Sequence, residues 1–225
     1  MWRIVGASVI GTSHTRAGTS CQDANLGRVM ADEIALGAVA DGLGSASLAH
    51  LGAQLAVATI LDALTDELGA GLPPKRAQLA QSLVSAMTRA FVAARTALEQ
   101  YAADRSVPLR ELGTTLMAAV CGPDWLVTGH IGDGVIIGYW DGDKLRTASK
   151  PERRECANVT MPLTMDGALE HVRYGYYPDT LHSVVLMSDG LQSLALNTRD
   201  NTPFEGFLRP LIETVDRIAY DDKAT

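Results

Sequence analysis

Two long stretches in the first half of the chain repeat apolar residues every three or four positions, with strand-like runs before and after them. Leu48, Leu51, Leu55, Ala58, Leu61, Leu64 and Leu68 share one face of a helix over 47–68, which Gly69-Ala70-Gly71 ends. Beyond Pro73-Pro74, the residues Leu79, Leu83, Met87, Ala90, Ala94, Leu98 and Tyr101 mark a second helix of similar length. A helix with one apolar face must bury that face on another layer, and the flanking strands supply it.

The strand pattern is antiparallel. Residues 2–10 alternate loosely and read as a first strand, followed by a polar loop over 11–20. Residues 25–30 and 34–40 form a hairpin around Ala31-Asp32-Glu33, so Asp23 enters it and Asp41 leaves it. After Pro108, the runs 113–121, 125–131 and 135–140 make a meander that turns at Gly122-Pro123-Asp124 and Gly132-Asp133-Gly134. The run 182–188 is a further buried strand ending on Asp189-Gly190. Thr202-Pro203-Phe204-Glu205 has the form of a capping box that opens a helix to about Tyr220. The polar stretch 148–178 is too long for a turn and reads as a flap or a poorly ordered insertion. The expectation is an α+β fold in a single domain over 1–225, with helices covering antiparallel sheets and too few parallel crossovers for a doubly wound fold.

Composition narrows the function classes. The 225 residues can bury a full core, and a net charge of −7 without a basic stretch argues against nucleic acid as a partner. Cys21, Cys121 and Cys156 are scattered, with no zinc spacing, and read as reduced thiols. No run reaches the length of a membrane span and the amino terminus carries no secretory pattern, so the expectation is a cytoplasmic chain with no membrane partner. His14, His50, Arg153 and Arg154 read as surface residues, and Trp125, Trp140, Tyr139, Tyr174, Tyr176 and Tyr177 as packing.

The chemistry lies in a repeated device. Leu36-Gly37-Ala38-Val39-Ala40 is a buried strand that surfaces on Asp41, followed by Gly42 and Gly44, which let a ligand approach the backbone. An isolated Asp-Gly is an ordinary turn. However, Asp23, Asp133, Asp189 and Asp221 or Asp222 also stand at strand ends or in turns beside small residues. Carboxylates and carbonyls without histidine or cysteine select hard cations such as Mg²⁺ or Mn²⁺. If they converge, they form a two-metal site able to hold a hydroxide-like water in line with a phosphoryl group. Spacing alone leaves the turn and metal readings both open.

Val39-Ala40-Asp41-Gly42-Leu43-Gly44, Gly113-Thr114-Thr115, Gly129-His130-Ile131-Gly132-Asp133, Met187-Ser188-Asp189-Gly190-Leu191 and Asp222-Lys223-Ala224-Thr225 occur in the order of the motifs of the metal-dependent type 2C (PPM) serine/threonine protein phosphatases. The chain resembles that family over nearly its whole length. Cys21-Gln22-Asp23-Ala24 and Ala157-Asn158-Val159-Thr160 are similar to its compact bacterial subgroup. The resemblance implies an antiparallel β-sandwich flanked on both faces by helices, an αββα four-layer arrangement with the metals at one end.

The resemblance also implies roles at the site. Asp41 bridges two Mn²⁺ or Mg²⁺ ions, and Gly42 offers its carbonyl. Asp189 and Asp222 complete the first metal, Asp23 orders water, and Asp133 belongs to a third, weaker ion. The implied substrate is a phosphoserine or phosphothreonine protein attacked by a metal-bridging water, with a cognate serine/threonine kinase as a further partner. Some positions depart from the family. Gly18 replaces a phosphate-gripping arginine, Leu43 a histidine, Gly134 a serine and Lys223 an asparagine, and the pattern is one last strand short at Thr225. These departures leave an alternative, a catalytically weak phosphatase-like binding or regulatory module.

Overall fold

The computed structural model describes residues 2–11, 20–30, 34–73, 75–142, 144–151, 160–197 and 199–217. Two antiparallel sheets form among them. In the five-stranded sheet, β1 (Ala24–Met30), β2 (Ile34–Ala40), β3 (Leu116–Gly122), β4 (Trp125–Ile131) and β7 (Arg173–Tyr177) lie side by side in that order. In the three-stranded sheet, β5 (Val135–Trp140) lies between β6 (Lys144–Ser149) and β8 (Leu181–Met187). The helices are α1 (Ala49–Gly69), α2 (Arg76–Arg105), the short α3 (Gln192–Ala195) and α4 (Glu205–Arg217).

Strand periodicity of two sorts the core. On β3, Ala118 and Val120 turn to the cluster that holds Ile60, Leu64, Phe91 and Leu98 of α1 and α2. Their neighbours Ala119 and Cys121 turn the other way, joining Leu126 with Trp140 and Leu181 of the second sheet. A third cluster sets Val135, Ile137 and Met187 of that sheet against Ala195 and Leu208 of α3 and α4. Because both faces of β3 and β4 are covered, every residue of these strands is buried; β3 is a continuous apolar run, while β4 also buries Thr128 and His130. The aromatics assigned to packing do pack. Phe91 and Tyr174 meet edge to face at 6.0 Å, and Trp140 lies 5.7 Å from Tyr177.

Four expectations are corrected. The runs 125–131 and 135–140 are not neighbours in one meander: β4 pairs with β3 and β7, β5 with β6 and β8, and the Gly132-Asp133-Gly134 turn crosses from one sheet to the other. Residues 2–10 form no strand: Ile4 lies against Gly27, Asn25 Nδ2 donates to Ser8 Oγ at 2.8 Å, and Val5 and Val9 are exposed, so side-chain contacts stand where ladder bonds were expected. The stretch 148–178 contains the end of β6, a 3-10 turn at Ala168–His171 and the whole of β7, which is hydrogen-bonded to β4. Gly175 at the centre of β7 and Arg173 at its start hid the strand from periodicity. The last helix starts at Glu205 rather than Pro203. Pro203 bridges to Leu196 and Phe204 N–H donates to Ala195 O at 2.8 Å, so the expected cap residues tie α3 to α4 instead.

Pairing fixes where the strands end. Ala24 faces Ala40, Leu116 faces Ile131, His130 faces Arg173 and Val135 faces Met187. The starts of β1, β3, β5 and β7 and the ends of β2, β4 and β8 therefore share one end of the paired sheets. That end carries Asp23, Asp41, Asp133 and Asp189.

Candidate active site

Asp41 is held by its own backbone. Its N–H donates to Thr115 Oγ1 at 3.0 Å, and its carbonyl accepts from Thr115 N–H at 2.8 Å and Thr114 Oγ1 at 3.1 Å. Gly42 bridges to Thr114, and its N–H donates to Gln22 O at 3.2 Å, which brings the segment before β1 beside the end of β2. A Cβ on Gly42 would stand 2.8 Å from Gln22 O and 2.9 Å from Ala49, so the chain crosses here only as glycine. Leu43 N–H donates to Gly113 O at 2.9 Å, fixing the loop on the same Gly113-Thr114-Thr115 turn.

The other aspartates are oriented by partners that the sequence reading did not single out. Ser188 Oγ donates to Asp23 Oδ2 at 3.2 Å, so the residue before Asp189 positions Asp23. Thr160 Oγ1 donates to Asp133 Oδ2 at 2.5 Å, and Gln192 Nε2 donates to the Asp133 carbonyl. Gly132 has φ +116, a conformation that L side chains rarely adopt, and aims the Asp133 turn out of β4. At Gly134 a Cβ would meet Met117 Cε at 2.4 Å and Met187 O at 2.9 Å, so the serine expected from the resemblance has no room. Ser188 and Thr160 stand inside motif stretches and were findable, whereas Gln192 carries no signal in the sequence.

The side chains of Asp23, Asp41, Asp133 and Asp189 act on one another. Burial and then the charges of Asp23 and Asp189 push the Asp41 carboxyl up to about 8, with hydrogen bonding to Asp23 and the charge of Asp133 adding to the rise. Asp189 is raised by burial and by Asp133, and a hydrogen bond from Asp41 offsets part of this. Carboxylates kept this close need a positive counter-charge, and a donor set of carboxylate and carbonyl oxygens suits a hard divalent cation. Among the described residues, no three His, Cys, Asp or Glu side chains form a ready metal-holding group. Asp222, expected as a ligand, lies outside the described residues, as do Asp221, Lys223, Gly18, Arg16, His14, Arg153, Arg154 and Cys156.

Behind Asp133 sits a buried histidine. His130 Nδ1 is 2.8 Å from Ser149 Oγ and accepts from Arg173 Nη2 at 3.0 Å. Burial and then the neighbouring guanidinium push its pKa down to about 3, so it is a neutral acceptor at ordinary pH. The buried Cys121 thiol is pushed up to about 12, which leaves it inert. No helix among the described residues is long and apolar enough to cross a membrane.

Two antiparallel sheets, helices packed on them and a carboxylate cluster at the shared strand ends are the parts of a serine/threonine protein phosphatase, a hydrolase, and similarity to known proteins bears this out. The family model for protein phosphatase 2C matches residues 10–223, and the chain belongs to that family, which is typically metal-dependent. Serine/threonine-protein phosphatase 3 of Escherichia coli (strain K12) is 31% identical over 214 residues, covering 93% of this chain and 81% of that one. The fold is also that of the Staphylococcus aureus serine/threonine phosphatase Stp1, with TM-score 0.57 and 14% identity over 87% of this chain and 81% of the other. The Mycobacterium tuberculosis serine/threonine phosphatase PstP/Ppp gives TM-score 0.51 and 20% identity over 80% and 83% of the two chains.

Proposed function

We propose that this chain, folded as four αββα layers, hydrolyses phosphoserine and phosphothreonine on proteins with the help of two Mn²⁺ or Mg²⁺ ions. The convergence of Asp23, Asp41, Asp133 and Asp189 on one end of the sheets, where burial and then the neighbouring carboxylates raise the Asp41 carboxyl to about 8, is the observation that carries the reading. Asp41, the Gly42 carbonyl, Asp189 and Asp222 would hold the ions, with Asp133 at a third. Such ions, when bound, supply positive charge to phosphoryl oxygens and lower the pKa of water.

The chain's own residues do the positioning. The Thr114-Thr115 pair locks the Asp41 backbone, so its carboxylate is presented without reorganisation. Ser188 Oγ donates to Asp23 and orients its carboxylate, which would order the attacking water and accept its proton. With Leu43 where a histidine was expected, protonation of the leaving seryl or threonyl oxygen falls to solvent.

The test is hydrolysis of a phosphothreonine peptide and of p-nitrophenyl phosphate by metal-stripped protein, before and after Mn²⁺ or Mg²⁺ is restored. The reading expects turnover only with metal, and its loss in Asp41→Asn. Metal binding without turnover of either substrate would overturn it in favour of a phosphatase-like binding module.

A further inference from the structure

A cavity of about 400 Å³ opens beside the aspartate cluster, where the β4–β7 edge of one sheet meets the end of β6 in the other. Thr128, Ser149, Lys150, Pro151, Arg173 and Gly175 line it. Its volume is that of an ordinary small-ligand site. No acidic residue is among its described lining residues, although the chain as a whole has 26 acidic residues against 19 basic ones and four aspartates stand at the same sheet end.

The lining is built rather than incidental. Arg173 Nη2 donates to His130 Nδ1 at 3.0 Å, to Gly132 O at 3.1 Å and to Lys150 O at 3.1 Å. Those bonds tie the cavity wall to the residue before Asp133 and to the chain leaving β6. Thr128 and Ser149 are buried, and Gly175 keeps the β7 side open: a Cβ there would stand 2.9 Å from Thr128 Oγ1. Lys150 is exposed at the rim, where its charge also reaches the exposed Asp200.

We propose that this cavity is a substrate subsite for an anionic side chain, a carboxylate or a second phosphate, carried within a few residues of the phosphoresidue. The inference rests on the phosphatase reading above, since Arg173 of the cavity wall bonds the carbonyl of Gly132, the residue before Asp133. Lys150 supplies the charge, Thr128 supplies a hydroxyl, Ser149 is held by His130, and Arg173 fixes the wall. A substrate with an acidic neighbour is thereby favoured over one with a neutral neighbour.

The test compares three phosphothreonine peptides that differ only at flanking positions, carrying glutamine, glutamate or phosphoserine, on wild type, Lys150→Ala and Lys150→Glu with Mn²⁺ present. An exposed lysine contributes modestly, so the expected wild-type preference in kcat/KM is about fivefold for the acidic peptides, carried by KM. The preference falls toward one in Lys150→Ala and inverts in Lys150→Glu. Glutamate and phosphoserine peptides report separately which anion is taken. In parallel, anisotropy of fluorescent glutamate and glutamine peptides without phosphate, in EDTA, reads the cavity independently of turnover. Selective binding of the glutamate peptide that is lost in Lys150→Glu supports the subsite even if no peptide is hydrolysed. Equal preference and equal binding in wild type and Lys150→Glu overturn it, and leave the phosphatase reading standing where the peptides are turned over.

Discussion

Asp41 is held against its ordinary charge state by its surroundings. Its carboxyl titrates near 8 rather than 3.8 because burial and then the neighbouring carboxylates disfavour its charge. The folded protein therefore keeps a proton that the unfolded chain releases, and metal-free stability falls as pH rises from about 4 to about 8. His130 acts with the opposite sign between about 3 and 6.5, so above pH 7 it no longer opposes the Asp41 effect. Asp41→Asn is expected to melt higher than wild type in EDTA at pH 8, by about 2–4 °C for each ~1 kcal/mol regained. Added Mn²⁺ should raise the wild-type midpoint and leave the mutant nearly unmoved. A mutant that melts with wild type and still responds to Mn²⁺ would contradict this account. At this scale the sequence was informative: an aspartate where a buried strand surfaces is visible in the string. Thr115 and Ser188 stand in motif stretches of the string, but which aspartate each one holds is visible only once the turn and the end of β8 are brought together.

Helix α1 shows what an element contributes to a site it does not itself line. Gly52 faces the 3-10 turn at Leu109–Leu112, and a Cβ there would stand 2.1 Å from Leu112 O, backbone against backbone. The same turn receives Leu48 N–H at Glu111 O, 2.9 Å, and leads into Gly113 and Thr114, on which the Asp41 loop rests. Alanine in a helix interior is usually a gain of roughly 1 kcal/mol over glycine. Here the clash wins, and Gly52→Ala is expected to cost about 1–3 kcal/mol in urea unfolding. Gly37→Ala, where a new Cβ meets nothing within 4 Å, should change stability little. Equal midpoints for the two variants would refute the packing argument. Elements like α1 were legible because Leu61, Leu64 and Leu68 repeat at helical spacing, and β2 because an unbroken apolar run ends on a charge. Strand β7 was not legible: its pairing with β4 is a tertiary fact, and neither Arg173 nor Gly175 announces a strand. The segment 2–10 misled for the converse reason, because its alternation is real but β1 receives it through side chains.

Across the whole molecule, a side chain of α2 also ties the helix layer to the aspartate end. Arg95 on α2 is only 12% exposed, and its Nη1 donates to Leu163 O and to Met165 O, each at 2.6 Å. Leu163 N–H donates in turn to Thr114 O at 2.7 Å, so the segment from Thr160 to Met165 is fastened both to the helix and to the turn that holds Asp41. Thr160 at its start grips Asp133. No periodicity could have exposed this link, since its partners are backbone carbonyls 68 and 70 positions away. Removing the guanidinium leaves two carbonyls without their donor and frees the segment to carry Thr160 off Asp133. Arg95→Ala is therefore expected to raise the Mn²⁺ concentration for half-maximal phosphatase activity by about tenfold, the lower range for loss of a partner behind a metal ligand. Thr160→Ala should shift it in the same direction, with turnover largely recovered at saturating Mn²⁺. Arg89→Ala, on the same helix as Arg95, breaks only a surface pair with Glu67 of α1 and should leave the metal dependence unchanged. If Arg95→Ala and Arg89→Ala titrate alike with Mn²⁺, the helix layer plays no part in holding Asp133, and the segment carrying Thr160 must be held in place by its other contacts alone.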